Sequence, residues 1–310
     1  MQLLKDLLKI QSPSGNELKM RDFLIDYFQK HENLFKTKPV LHYGAEFQNC
    51  LAVSFGVPRV AIFAHIDTVA YMTRYKKELI EIGSPTAKNG DILVGKEFGD
   101  EFEKLIEVKF IKQKKEDEAA YSYEYDRILH RGTELCYKPN FKEKDGVIQS
   151  PYLDNRIGIY CALKAAETLE NGMLVFTCWE EHQGGSAAHM ARFVHDEFGI
   201  KKALISDVTW ISDGINLGDG TVISLRDDAI PRRDYVLEII QIAKKYNLPY
   251  QLEVEDSGGS DGNEIQNVPY SIDWCFVGIP CDKMHSSKEK ILKSDLETTI
   301  LLYEKLMQEI

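Results

Sequence analysis

Residues 173–185 read MLVFTCWEEHQGG. An apolar run from Met173 to Trp179 stops at two adjacent glutamates, Glu180 and Glu181, followed shortly by a glycine pair. The run is short, rich in branched and aromatic residues, and lacks the polar alternation of a half-exposed strand. It therefore reads as a strand buried on both faces, as parallel sheets require. Two like charges side by side at its end do nothing obvious for local folding. Successive residues at a strand end point to opposite sides, so the pair is expected to divide its work between two partners.

The same texture recurs along the chain. LAVSF, RVAIFA, KKALISDV and SIDWCFVGIP read as further buried strands. Helical spacing marks DNRIGIYCALKAAETL, GGSAAHMARFVHDEF, RRDYVLEIIQIAKKYN and DLETTILLYEKLMQEI. Near the start, Leu3, Leu4, Leu7, Leu8 and Ile10 form an apolar helical stripe. A break at SPSG follows, where Ser14 and Glu17 fit a capping box opening a second helix. Strands alternating with helices predict an α/β fold, a mostly parallel central sheet with helices on both faces. Residues 69–152 differ, being rich in charge, Tyr, Gly and Pro with strand-like alternation. They are expected to form a small β-rich inserted domain, since long structureless loops are rare in compact proteins. The charge run KQKKEDE at 112–118 reads as a solvated turn or edge. The main domain then comprises 1–68 and 153–310.

With 310 residues and a formal net charge of −11, the chain is long enough for one large core and too acidic to make nucleic acid its natural partner. No apolar window approaches a membrane span and no secretion signal is evident, so a cytoplasmic protein without membrane attachment is expected. Cys50, Cys136, Cys161, Cys178, Cys275 and Cys281 are scattered without metal-binding spacing, as expected of small core residues in a reducing compartment.

The polar residues fall at the ends of the elements. AHID ends a strand with His65 and Asp67. The opening run ends at Glu180 and Glu181, KKALIS at Asp207, and WCFVGIP leads to His285, while YLDNR sets Asp154 before a helix. In open α/β sheets, sites form outside the carboxyl ends of the strands. Each residue alone has a plainer reading, Asp154 as a helix cap or Asp207 as a turn residue. Together, two histidines and several carboxylates match a zinc-type ligand set. Their number fits two ions sharing one carboxylate better than a single ion.

These residues resemble peptidase clan MH, the co-catalytic dizinc exopeptidases, and most closely its tetrahedral aminopeptidase family, metallopeptidase family forty-two. The likeness covers nearly the whole chain. It runs through SPSGNE, AHID, GTELCYKPNF, DGVIQSPYLDNRIG, WEEHQGG, SDVT, GGSDGNEIQ and MHSSKE. The resemblance implies a zinc exopeptidase fold with an inserted dimerisation domain. It also implies two divalent ions, Zn²⁺ before Co²⁺ or Mn²⁺. His65 and Asp207 would hold one ion, Glu181 and His285 the other, with Asp154 shared. Asp67 would orient His65, and Glu180 would act as general base toward a metal-bridging hydroxide. The implied activity is removal of N-terminal residues from peptides by a homo-oligomer, dimer or dodecamer. No role is implied for Asp261, and no substrate-binding residue is named.

Three places depart from the family pattern: Thr68-Val69-Ala70 after AHID, His182-Gln183 after the glutamate pair, and Cys281-Asp282-Lys283 before His285. The first is closer to dipeptidase, carboxypeptidase and N-deacylase relatives in the clan, which stand as an alternative. A catalytically silent binding or assembly protein on the same scaffold is a second.

Overall fold

The computed structural model describes residues 1–99, 105–115 and 118–310. Before the insertion come helices α1 (Gln2–Leu7) and α2 (Leu18–Lys30) and strands β1 (Val40–His42), β2 (Leu51–Phe55) and β3 (Ala61–His65). The insertion contributes β4 (Ala70–Thr73), β5 (Glu78–Ile82), β6 (Ile92–Gly95), β7 (Ile106–Lys115), β8 (Glu118–Glu124) and β9 (Glu134–Tyr137). Next are β10 (Lys142–Lys144), β11 (Val147–Ser150), α3 (Leu153–Ala166), β12 (Gly172–Thr177) and α4 (Ser186–Phe198). Then follow β13 (Lys202–Ile205), β14 (Val208–Trp210), β15 (Thr221–Arg226), α5 (Arg233–Lys245), β16 (Tyr250–Val254) and α6 (Asp261–Asn267). The chain closes with β17 (Asp273–Cys281), β18 (Glu289–Leu292) and α7 (Lys293–Glu309).

The central sheet runs β1-β2-β12-β3-β13-β17-β15-β16, with β14 extending along β17. Its middle is parallel: β12, β3, β13 and β17 share one direction. Every residue of β2, β3 and β12 is buried, as their uninterrupted apolar sequences demand. Two features were not read from the sequence. β15 lies antiparallel to β17, and β16 follows β15, so this edge of the sheet runs the other way.

The insertion interrupts the crossover between β3 and its parallel neighbour β12. Strands β4–β9 close into an antiparallel barrel in the order β4-β5-β8-β7-β6-β9. The β7 pattern shows why: Val108 and Phe110 are buried inside while Glu107 and Lys109 face out. Of the charge run 112–118, residues 116 and 117 lie outside the described residues, and Lys115 pairs with Glu118 across the β7–β8 hairpin. Strands β10 and β11 do not join the barrel. They form a separate sheet with β18 of the main domain.

Two local expectations are corrected. Helix α1 stops at Leu7, so Ile10 lies beyond the helix although Leu4, Leu7 and Leu8 are buried. The capping box does not form. Glu17 itself occupies the cap position of α2 and its carboxylate takes the Gly15 amide at 2.6 Å. The Ser14 hydroxyl instead donates to Asp67 at 2.6 Å. A buried carboxylate binds a donor more strongly than an exposed helix end does, so the long-range partner wins. Among the described residues, no helix is long and apolar enough to cross a membrane.

Candidate active site

Five elements deliver the polar residues to one place. His65 ends β3, Glu180 and Glu181 follow β12, Asp207 follows β13, His285 follows β17, and Asp154 opens α3. Because β3, β12, β13 and β17 are parallel, their carboxyl ends lie along one edge of the sheet.

The geometry centres on Asp154. Its Oδ1 lies 3.2 Å from Nε2 of His65, and its Oδ2 lies 3.1 Å from Nε2 of His285. Each imidazole has a further carboxylate: Asp207 Oδ2 is 3.5 Å from His65 Nε2, and Glu181 Oε2 is 3.1 Å from His285 Nε2. Among the described residues, two groups could each hold an ion with donor atoms within 4.8 Å of one another. They are His65, Asp154 and Asp207, and Asp154, Glu181 and His285. Glu180 Oε2 lies 3.7 Å from His65 Nε2 and is outside both groups.

The glutamate pair does not divide across a strand end. β12 ends at Thr177, Trp179 adopts a left-handed φ of 64°, and both glutamates line the same cavity. The turn at Trp179 re-aims the chain, so the alternation of strand side chains no longer applies. Left-handed residues recur around the site: Tyr152 (φ 66°), Gln183 (φ 70°) and His285 itself (φ 60°). Such backbone persists only where surrounding contacts hold it.

Those contacts are identifiable. Asp67 accepts from the amides of Glu180 (3.2 Å) and Glu181 (3.1 Å) as well as from Ser14. It lies 3.3 Å from His65 Nδ1, but that nitrogen makes no well-directed hydrogen bond. Asp67 therefore fixes the glutamate turn more firmly than the imidazole. The Val69 amide donates to Glu181 Oε1 at 3.2 Å, leaving Oε2 for the His285 side. The LDNR segment ties two strand ends together. Asn155 donates to the Ser206 carbonyl (2.8 Å), beside Asp207, and Arg156 to the Ile66 carbonyl (2.9 Å), beside His65. Gly158 makes this possible, because a Cβ there would stand 2.1 Å from the Ser206 carbonyl oxygen. Glu289, from the HSSKE motif, accepts the Asp154 amide at 3.1 Å.

The barrel also reaches the site, which nothing in the sequence signalled. Ser84 Oγ lies 2.9 Å from His285 Nδ1, and Thr86 donates its amide to the His285 carbonyl at 2.8 Å. The Gly83 amide donates to His182 Nδ1 at 3.1 Å. The departures His182 and Val69 are thus built into the frame. Thr68 is buried, its hydroxyl 3.4 Å from the Ser12 carbonyl. Asp261, on α6, accepts from the Thr177 hydroxyl at 2.5 Å, and burial pushes its carboxyl up to about 7.

The electrostatics are those of crowded carboxylates. Burial first, and then mutual repulsion, pushes Glu180 well above the usual range and raises Glu181 and Asp207. Burial opposes ionisation of Asp154 too, but hydrogen bonds from His285 and His65 outweigh it and hold the carboxyl low. The imidazoles respond oppositely. Burial works against the charged form of His285, yet Glu181 and Asp154 push it up to about 12. Four carboxylates around two imidazoles leave an excess of buried negative charge, and the N/O donor set is one that divalent ions such as zinc accept. The residues therefore fit a pair of metal ions.

A family model described as M42 glutamyl aminopeptidase matches residues 113–302. The chain belongs to that family. An aminopeptidase of this family thus carries Asp154, Glu180, Glu181, Asp207 and His285 within the matched span, and His65 and Asp67 before it. Along almost its full length the chain is 27% identical to a protein of Acetivibrio thermocellus that carries the name aminopeptidase, covering 97% of this chain and 96% of that one. It is 29% identical to the lysyl aminopeptidase of Pyrococcus furiosus over 58% of this chain and 54% of that one. The fold is similar to that of the TET1 peptidase of Pyrococcus horikoshii, with a TM-score of 0.79 at 20% identity, covering 100% of this chain and 99% of the other. That archaeal peptidase can assemble into a tetrahedron or a large octahedral shell.

Proposed function

We propose that this aminopeptidase is a dinuclear metalloenzyme in which His65 and Asp207 hold one divalent ion, Glu181 and His285 the other, and Asp154 both. The observation that carries this reading is the split of the Asp154 carboxylate, one oxygen toward each imidazole. Zinc suits the donors best, with cobalt or manganese as substitutes. When bound, the two ions would activate a water between them and polarise the amide carbonyl. The remaining work falls to side chains. Glu180 lies beside His65 and outside both ligand groups. It accepts the proton of the attacking water and passes it to the leaving amine. Asp67 holds the backbone of the glutamate pair so that, within the one cavity, Glu180 lies beside His65 and Glu181 beside His285. The dipeptidase and carboxypeptidase alternative drew on Thr68 and Val69, both buried, so it gains no support from the cavity.

We further propose that copies of the chain associate through the barrel. Tyr75, Ile80, Phe98 and Ile128 are exposed apolar residues of the insertion and would be covered in a dimer. The six cysteines are buried and unpaired, in keeping with a cytoplasmic protein. Sedimentation velocity tests the assembly, a monomer at micromolar concentration refuting it.

The test of the catalytic reading is Glu180→Gln in metal-replete protein, assayed on aminoacyl and N-acylated anilides. Two metal equivalents should remain while kcat falls by about 10²–10⁴-fold. Unchanged turnover, or cleavage of N-acylated substrates only, would refute it.

A further inference from the structure

The cavity beside the metal-binding residues continues past Val208 and Thr209 to a second group of carboxylates: Asp227, Glu253 and Glu255. It encloses about 290 Å³, room for one amino-acid side chain. Glu253 lies in β16, while Asp227 and Glu255 directly follow β15 and β16. These are the two strands that run opposite to β17, so the rule that located the metal-binding residues at one set of strand ends did not reach them.

The three carboxylates are unusual in having no cation. Among the described residues, no Lys or Arg lines the cavity, and no ion pair reaches Asp227, Glu253 or Glu255. The nearby Arg226 donates to the backbone carbonyl of Glu255 instead. Asp227 is 7% exposed and Glu253 3%. Asp227 Oδ1 accepts from the Ala229 amide at 2.7 Å, and no other residue among those described donates to Oδ2. Glu253 takes the Thr209 hydroxyl. Burying carboxylates without a counter-charge is costly, and like charges in one cavity add to the cost. A metal is not the remedy here, because the three are in neither group of converging ligand atoms. Carboxylates that share a cavity without converging on one point suit an organic cation. Val208, Phe276 and Met284 line the same cavity and provide apolar wall for a methylene stem.

We propose that this arm of the cavity receives the cationic side chain of an N-terminal lysine or arginine, with Asp227 and Glu253 as its buried acceptors and Glu255 nearer solvent. The proposal rests on the aminopeptidase reading for the position of the scissile bond. An N-terminal glutamate would meet three charges of its own sign.

The experiment compares kcat/KM for lysyl, arginyl, leucyl and glutamyl nitroanilides on zinc-replete enzyme, with Asp227→Asn and Glu255→Gln alongside. Lysyl and arginyl substrates should exceed glutamyl by at least about 100-fold, and Asp227→Asn should lower the lysyl-to-leucyl ratio by about 10–100-fold. Should Asp227→Asn fail to fold, Glu255→Gln at its half-exposed position reads the same ratio, with a smaller drop. Leucyl or glutamyl turnover equal to lysyl would overturn the proposal and leave the aminopeptidase reading intact. If no aminoacyl anilide is cleaved, the aminopeptidase reading fails, and calorimetry with lysinamide and leucinamide decides the pocket. Tighter binding of lysinamide, lost in Asp227→Asn, supports it; equal or absent binding overturns it.

Discussion

Ser84 and His285 stand 201 positions apart, yet Ser84 Oγ lies 2.9 Å from Nδ1 of His285, and the Ser84 carbonyl lies 3.2 Å from the same nitrogen. One belongs to the loop leaving the barrel strand β5, the other to the loop leaving β17. In the proposed dinuclear site, a proton on Nδ1 held by Ser84 would keep Nε2 free for a metal between Asp154 and Glu181. The insertion therefore touches the candidate site directly and is not only an appendage. Ser84→Ala should weaken metal binding by about tenfold, the low end for such partners, because the carbonyl remains. Competition with a chelator checks this, and unchanged affinity would remove Ser84 from the account.

Gly83 makes the neighbouring contact possible. Its φ is +69°, and a Cβ there would meet the Glu181 carbonyl oxygen at 2.8 Å and Val69 Cγ1 at 2.9 Å. Gly83→Ala should destabilise the protein by more than about 1 kcal/mol. Since the clash falls on Glu181, activity should drop at temperatures where the fold remains intact. Urea unfolding and steady-state kinetics measure the two effects.

Asp67→Asn should damage both frame and site. In either orientation the new amide nitrogen would face a backbone amide, that of Glu180 or that of Glu181, donor against donor. Leaving such a buried donor unsatisfied costs about 1–3 kcal/mol. Denaturant midpoints and kcat should fall together; a fully active, equally stable variant would contradict the assigned role.

A pH dependence follows for the carboxylate arm. Burial pushes Asp227 up to about 6, with Glu253 and Asp228 adding to the effect and the Ala229 amide opposing it. A raised carboxyl is ionised above about 6 and neutral below it. The lysyl-to-leucyl ratio of kcat/KM should therefore be highest above that pH and fall as pH drops through it. Both substrates would meet the same cluster around Asp154, so the ratio cancels the titration of that cluster. A ratio flat between pH 8 and 5 would exclude Asp227 as the acceptor.

Much of the fold was legible because its central strands are pure. β2, β3 and β12 are buried from end to end, as only strands in the interior of a sheet covered on both faces can be, although β2 itself runs antiparallel to β12. His65, Glu180, Glu181, Asp207 and His285 were legible for a related reason: each closes or follows a readable strand. β15 and β16 were not, because Ser224, Gln251 and Glu253 break their apolar pattern. With those strands went Asp227 and Glu253. Ser84 was invisible because its partner is distant and the SPT tripeptide looks like any turn. The Ser14 capping box failed for a physical reason, since Asp67 outcompeted the helix end. Of the sequence patterns, LDNR was the most informative about the frame: Asp154 reaches His65, Asn155 the Ser206 carbonyl and Arg156 the Ile66 carbonyl.

The most direct measurement is anomalous scattering at the zinc edge from crystals of the zinc-replete protein. Two peaks about 3.5–4 Å apart should flank the Asp154 carboxylate, one beside His65 and Asp207 and one beside Glu181 and His285. A lone peak, or none within reach of Asp154, would contradict the dinuclear site.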